Sequence, residues 1–217
     1  MPTVEQARSW YIQSDPIHDF AHVLRVYRMA ERLALAEGAD PEIVRAAALL
    51  HDALGATPGS AQGGSAEERA SHHQSSAEFA AHVLADEGWS MDRIAAVQHC
   101  IRAHRYRSSG ETPLTLEAQV LFDADKLDVL GAVGAARTIG YAVLDGQPFY
   151  SEPSEQFLHS GIKVDGEPHS SYHEFLFKLR KVKDRLYTPT ARAFAEKRHQ
   201  YLADFYQQMQ EEIAGRR

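Results

Sequence analysis

Residues 51 and 52 are a histidine followed by an aspartate, and they close the apolar run IVRAAALLHDAL. An ionised carboxylate beside a buried helix is costly unless a cation or strong donors compensate it. Neighbouring helix residues diverge by about 100°, but at a helix end both side chains can converge on an ion beyond the terminus. Two other segments offer donors to the same ion. HDFAHVLRV projects His22 from a second helix, and FDADKLD carries Asp123, Asp125 and Asp128 on a third. On a helical grid Asp125 and Asp128 share a face, whereas Asp123 lies about 200° from Asp125 and is placed to pair with Lys126. Imidazole and carboxylate donors without thiolate favour Mn²⁺, Fe²⁺, Co²⁺ or Mg²⁺ over a closed structural zinc, with a coordination position left open. A water in that position has its pKa lowered from about 15.7 towards neutrality, which is the chemistry of hydrolysis.

These donors must be positioned by helices, because helical periodicity dominates and alternating strand patterns are nearly absent. The expected class is all-α, a single-domain helical bundle with a long loop before its C-terminal helices. Thr3-x-x-Gln6 reads as a capping box for a short first helix that ends near Ser14-Asp15-Pro16. Residues 17–37 form a second helix stopped by Gly38, with His18 and His22 on one face. Asp40-Pro41 caps a third, apolar nearly all round, which runs to about Gly55 and belongs in the middle of a bundle. TPGSAQGGS reads as a loop, and Ser65-x-x-Glu68 opens a helix to about Gly88 that carries His72 and His73. Residues 90–105 carry His99 and His104. A helical region from Thr115 through Tyr141 carries the three aspartates, with Gly131 and Gly134 permitting close packing or a break. Residues 145–170 lack a clear period and read as a loop covering the site. Helices follow over 171–186 and, after Thr188-Pro189, to about 213.

Composition removes several classes of function. Twenty-three Lys and Arg against thirty Asp and Glu give a net charge of −7, which opposes binding to nucleic acid through its phosphates. A small phosphorylated ligand remains compatible, since a metal and a few basic groups outweigh a distant field. The single cysteine, Cys100, suits a reducing compartment. No apolar run is long enough to span a bilayer, and the first residues lack a signal-peptide pattern, so the expected location is the cytoplasm without membrane association. Lys178, Arg180, Lys181 and Lys183 read as a solvated face, with phosphate binding as the alternative. Oligomeric state is open, a homodimer being one option.

The ordered set His22, His51-Asp52 and Asp125 resembles the HD superfamily of metal-dependent phosphohydrolases. The strings HDxxHVxRV, AAALLHD, His72 to Ser76, IxxH at Ile101 to His104, DADKLDVLGAVGAARTIG and the tail FKLRKVKDRLYTPTARAFAEKRHQYLADF extend the likeness to a small bacterial subgroup. At least one member of that subgroup is regarded as a nucleotide pyrophosphohydrolase. The resemblance implies a core over about 17–130 and a C-terminal helical extension over about 171–213. Its pattern at Ala124-Asp125-Lys126-Leu127 selects Asp125 as the last ligand, with Asp123 as fallback. It also implies that His73 and His104 could hold a second metal or a phosphate. Mn²⁺ is the first choice of ion, with Mg²⁺, Co²⁺, Fe²⁺ or Ni²⁺ as alternatives. Asp52, His18 and Asp128 are candidate catalytic groups. Arg25, Lys126, Arg102 and Arg105 are candidate phosphate clamps. The expected substrate is a nucleotide, most specifically a nucleoside triphosphate losing pyrophosphate. Alarmone hydrolysis, 5′-nucleotidase activity and nucleotide binding without turnover are the alternatives.

Overall fold

The computed structural model describes residues 1–11, 20–53, 66–105 and 111–217, with the side chains of 66–72 outside that description. The described residues are helical and include no strand. The expectations placed on His18, on the TPGSAQGGS loop, on the Ser65 cap and on the side chain of His72 lie outside the described residues. The chain divides into two compact units, Met1–Lys126 with Leu186–Ala191, and Leu127–Arg185 with Arg192–Arg217.

The first unit is built around an almost wholly apolar helix. α1 (Val4–Arg8) begins at the capping box of Thr3 and Gln6, and a single 3₁₀ turn, Ser9–Tyr11, follows. α2 (Phe20–Glu37) buries His22, Val23, Val26, Ala30 and Leu33 along one stripe, and Gly38 ends it at φ +79°, a conformation only glycine adopts cheaply. α3 (Pro41–Leu50) starts where the Asp40 carboxylate accepts from the amides of Glu42 and Ile43, and it buries Val44 and every residue from Ala46 to Leu50. It packs on α1, on α2, on α4 (Ala66–Asp86) and on α5 (Met91–Ala103). That enclosure accounts for a sequence that is apolar nearly all round. α6 (Leu116–Leu127) supplies the third donor segment.

The helical region expected over 115–141 is two helices. α6 stops at Leu127, and α7 (Gly131–Leu144) starts after a break at which Gly131 takes φ +71°. A Cβ on Gly134 would fall 2.2 Å from the Val129 carbonyl oxygen, so that glycine lets the chain fold back on itself. Asp128 therefore lies beyond the end of α6 and does not share a helical face with Asp125. In the second unit the 145–170 connection contains a short helix, α8 (Glu155–Ser160), closed by Gly161 at φ +73°. The helix expected over 171–186 is shorter: α9 (Ser171–Phe177) gives way to 3₁₀ turns at Leu179–Lys181 and Lys183–Arg185. α10 (Pro189–Ile213) follows Thr188-Pro189 as expected. Its fully buried Tyr206 stacks on Phe175 with ring centroids 4.7 Å apart. No single helix among the described residues is long and apolar enough to cross a membrane.

Candidate metal centre

Three helices of the first unit bring the sequence-predicted donors together. His22 comes from α2, His51 and Asp52 from the residues just past α3, and Asp125 from the last turn of α6. One ligand atom each from His22, His51 and Asp125 lie within 4.8 Å of one another. Donors about 2.0–2.2 Å from a common ion would stand at most about 4.4 Å apart, so the cluster is close to coordination size. Asp52 joins it: one carboxylate oxygen is 3.4 Å from His51 Nε2 and 3.9 Å from His22 Nε2. His22 Nε2 is also 3.5 Å from Asp125. His104, at the end of α5, reaches the other Asp52 oxygen at 3.5 Å, and its ring meets that of His51 edge-on at 5.3 Å.

The hydrogen bonds of two rings set which nitrogen faces this cluster. His51 Nδ1 lies 2.8 Å from the carbonyl of Ala48, and His104 Nδ1 lies 2.5 Å from that of Ile101. A carbonyl only accepts, so both Nδ1 atoms carry the proton. Each Nε2 then presents a lone pair to a carboxylate unless a proton or cation stands between them. His51 Nε2 is buried and makes no hydrogen bond among the described residues. Burial is also the largest influence on His51, pushing its pKa down and favouring the neutral ring, with His104 and His22 adding to the effect against Asp52 and Asp125. For Asp125 burial opposes ionisation, but Lys126 and the imidazoles of His22, His104 and His51 outweigh it, holding the carboxyl far below the usual range. The neutral His51 ring, with its orphaned buried Nε2, beside the ionised Asp125 carboxylate and the oxygens of Asp52, fits a divalent cation.

The other sequence candidates occupy varied surroundings. Lys126 bonds to Asp125, not to Asp123 as expected, and its ammonium lies 5.4 Å from the Phe122 ring centroid. Asp123 is fully buried; its carboxylate accepts from the amides of Tyr187 and Thr188 and from the Thr188 hydroxyl. It anchors the entry to α10, which removes the fallback ligand. Asp128, in the second unit, is ion-paired with Arg137. Arg102 forks onto Glu111, which also binds His99, so this clamp candidate is held in a surface network. His73 is buried in α4, while Arg25 and Arg105 are half-buried. Lys178 and Lys183 pair with Glu174 and Glu196, in keeping with a solvated face.

One contributor carried no sequence signal. The Tyr11 hydroxyl donates to the carbonyl of Leu49 at 3.0 Å, across 38 residues. Burial and the Asp52 charge push its pKa well up, against an opposing bond from the Asp52 backbone, so it stays a protonated donor.

The HD domain family model matches residues 19–130. The chain is 32% identical over 218 residues to the uncharacterized protein YpgQ of Bacillus subtilis (strain 168), covering 97% of this chain and 94% of that one. The crystal structure of YpgQ in complex with ADP superposes with a TM-score of 0.71 at 29% identity, covering 99% of this chain and all (100%) of the other. An HD-superfamily hydrolase from Bacillus thuringiensis gives a TM-score of 0.69 at 27% identity, with 97% and 94% of the two chains covered.

Proposed function

The chain belongs to the HD domain family, and on that premise we propose that it is a divalent-metal-dependent phosphohydrolase acting on nucleotides, releasing pyrophosphate from nucleoside triphosphates. The observation that carries the reading is the facing of His51 and His104 Nε2 onto Asp52 while both Nδ1 atoms are spent on backbone carbonyls. The assigned ligands are His22, His51, Asp52 and Asp125, with Mn²⁺ as the ion and Mg²⁺, Co²⁺, Fe²⁺ or Ni²⁺ as substitutes. A divalent ion held there supplies an acidified water and a Lewis acid for a phosphoryl oxygen. The ADP complex of YpgQ supports a nucleotide as ligand.

The chain's own groups then divide the remaining work. Lys126 and Arg25 are assigned to substrate phosphate, Lys126 having only Asp125 as ion-pair partner among the described residues. His73 and His104 are assigned to a second ion or to phosphate. Asp52, with His18 before α2, is assigned to the water's proton. Asp128 is assigned to its ion pair with Arg137, because a carboxylate held by a guanidinium is a weakened base.

The test is ³¹P NMR of products from nucleoside mono-, di- and triphosphates and a guanosine alarmone, with Mn²⁺. Pyrophosphate and a nucleoside monophosphate from triphosphates is the expected outcome. Orthophosphate from monophosphates, or pyrophosphate from the alarmone alone, would reassign the substrate. Mn²⁺-dependent nucleotide binding without product would make the chain a binding module.

A further inference from the structure

The end of α3 sets where His51 and Asp52 point, and the carbonyls of its last turn have an unusual distribution of partners. A helix leaves its last carbonyls without intrahelical donors, and each buried one must be satisfied elsewhere. Ala48 receives the His51 ring nitrogen at 2.8 Å. Leu50 receives the Ala53 amide at 3.3 Å, a tightened 3₁₀ closure. Leu49, fully buried between them, receives the Tyr11 hydroxyl at 3.0 Å. In a continuing α-helix the Leu49 carbonyl would instead take the Ala53 amide. The phenol thus occupies the acceptor that would prolong α3 past His51 and Asp52.

Tyr11 itself is fixed by packing. It is 4% exposed in a cluster with Ala7, Phe20, Val23, Leu49 and Ala53, against which Val4 and Trp10 also pack. Its ring lies 5.6 Å from that of Phe20. The segment that supplies it, α1 and the 3₁₀ turn, precedes the span 19–130 matched by the family model.

We infer that Tyr11 is a positioning residue for the metal centre: its hydroxyl, bonded to the Leu49 carbonyl, stops α3 from winding past Leu50 and so holds His51 and Asp52 in the orientation that binds the ion. This inference rests on the metal-centre reading above but not on the identity of the substrate. Removing the hydroxyl frees the Leu49 carbonyl for the Ala53 amide, which winds Asp52 into the helix and turns its carboxylate away from His22 and His104.

The experiment is calorimetric titration of metal-free protein with Mn²⁺ for wild type, Tyr11→Phe and Val4→Ala, with melting curves for each. Tyr11→Phe is expected to fold, to bind Mn²⁺ about 10-fold more weakly, the loss typical of groups that orient metal ligands, and to lower kcat with KM unchanged. Val4→Ala lowers the melting temperature through the same cluster while leaving Mn²⁺ affinity at the wild-type value. A chain carrying 4-aminophenylalanine at position 11, which keeps a donor there, recovers most of the affinity. Wild-type affinity in Tyr11→Phe, an equal loss in Val4→Ala, or failure of Tyr11→Phe to fold would overturn the inference. A wild type that binds Mn²⁺ but hydrolyses no nucleotide would sink the proposed function and leave the affinity comparison intact.

Discussion

Asp123 and Asp125 stand two residues apart on one helix and have opposite fates. Asp125 faces His22, while Asp123 accepts from two amides and a hydroxyl of the Tyr187-Thr188 segment. Replacing Asp123 by alanine leaves buried amides without an acceptor, and we expect a loss of about 3 kcal/mol in stability with unchanged Mn²⁺ affinity. Asp125→Ala should show the reverse, weaker Mn²⁺ binding with little loss of stability in metal-free protein. Urea unfolding and metal titration of the two variants check this, and equal effects on metal binding would refute the division. The 200° offset of Asp123 from Asp125 was legible from helical geometry, and it separates the two residues correctly. The partner of Asp123 was not legible, since Thr188 is 65 residues away and no local rule encodes that pairing. Tyr11 and Leu49 were hidden for the same reason.

Among the elements, those with local punctuation were readable. Thr3 with Gln6, Asp40 before Pro41, and Thr188 before Pro189 mark helix starts that the structure contains. The break between α6 and α7 was visible only as two glycines, because tertiary partners end α6: the Arg198 guanidinium donates to the Leu127 carbonyl at 2.6 Å. Alanine at Gly134 would force the Val129 carbonyl to move, and we expect Gly134→Ala to cost about 1–3 kcal/mol, seen as a lower melting temperature. α8 leaves no periodic signal in the sequence because its six residues are too few for a period to show. Its surroundings are clamped by Glu167, which accepts from the amide and hydroxyl of Ser154 and the amide of Val164 and meets buried His173 at 3.0 Å. Burial opposes its charge, but these donors win and hold its pKa down to about 2. The folded value lies below the ordinary glutamate value of about 4.3. Its stabilisation is therefore complete above that pH and drains away as pH falls towards 2. The stability gap between wild type and Glu167→Gln should thus be larger at pH 7 than at pH 3 in urea unfolding. A gap independent of pH would show that the ionised carboxylate is not the clamp.

For the whole molecule, the class of fold and the convergence of three donor segments followed from helical periodicity and motif order. The division at residues 126 and 127 did not, because both units are helical and no composition shift marks the boundary. The stability of the first unit is thereby linked to its ligand: a cation that binds the native cluster and not the unfolded chain stabilises it by mass action. At free Mn²⁺ of 100 times Kd that gain is about 2.7 kcal/mol. Mn²⁺ should raise the melting temperature of wild type, a chelator should reverse the rise, and Asp52→Ala should show none. The most direct test of the central claim is pyrophosphate release from nucleoside triphosphates by Mn²⁺-loaded wild type and Asp52→Ala, both shown to be folded. Wild type is expected to release pyrophosphate only with the metal, and the variant to have lost that release. Equal release by both proteins, or none from wild type carrying stoichiometric Mn²⁺, would contradict it.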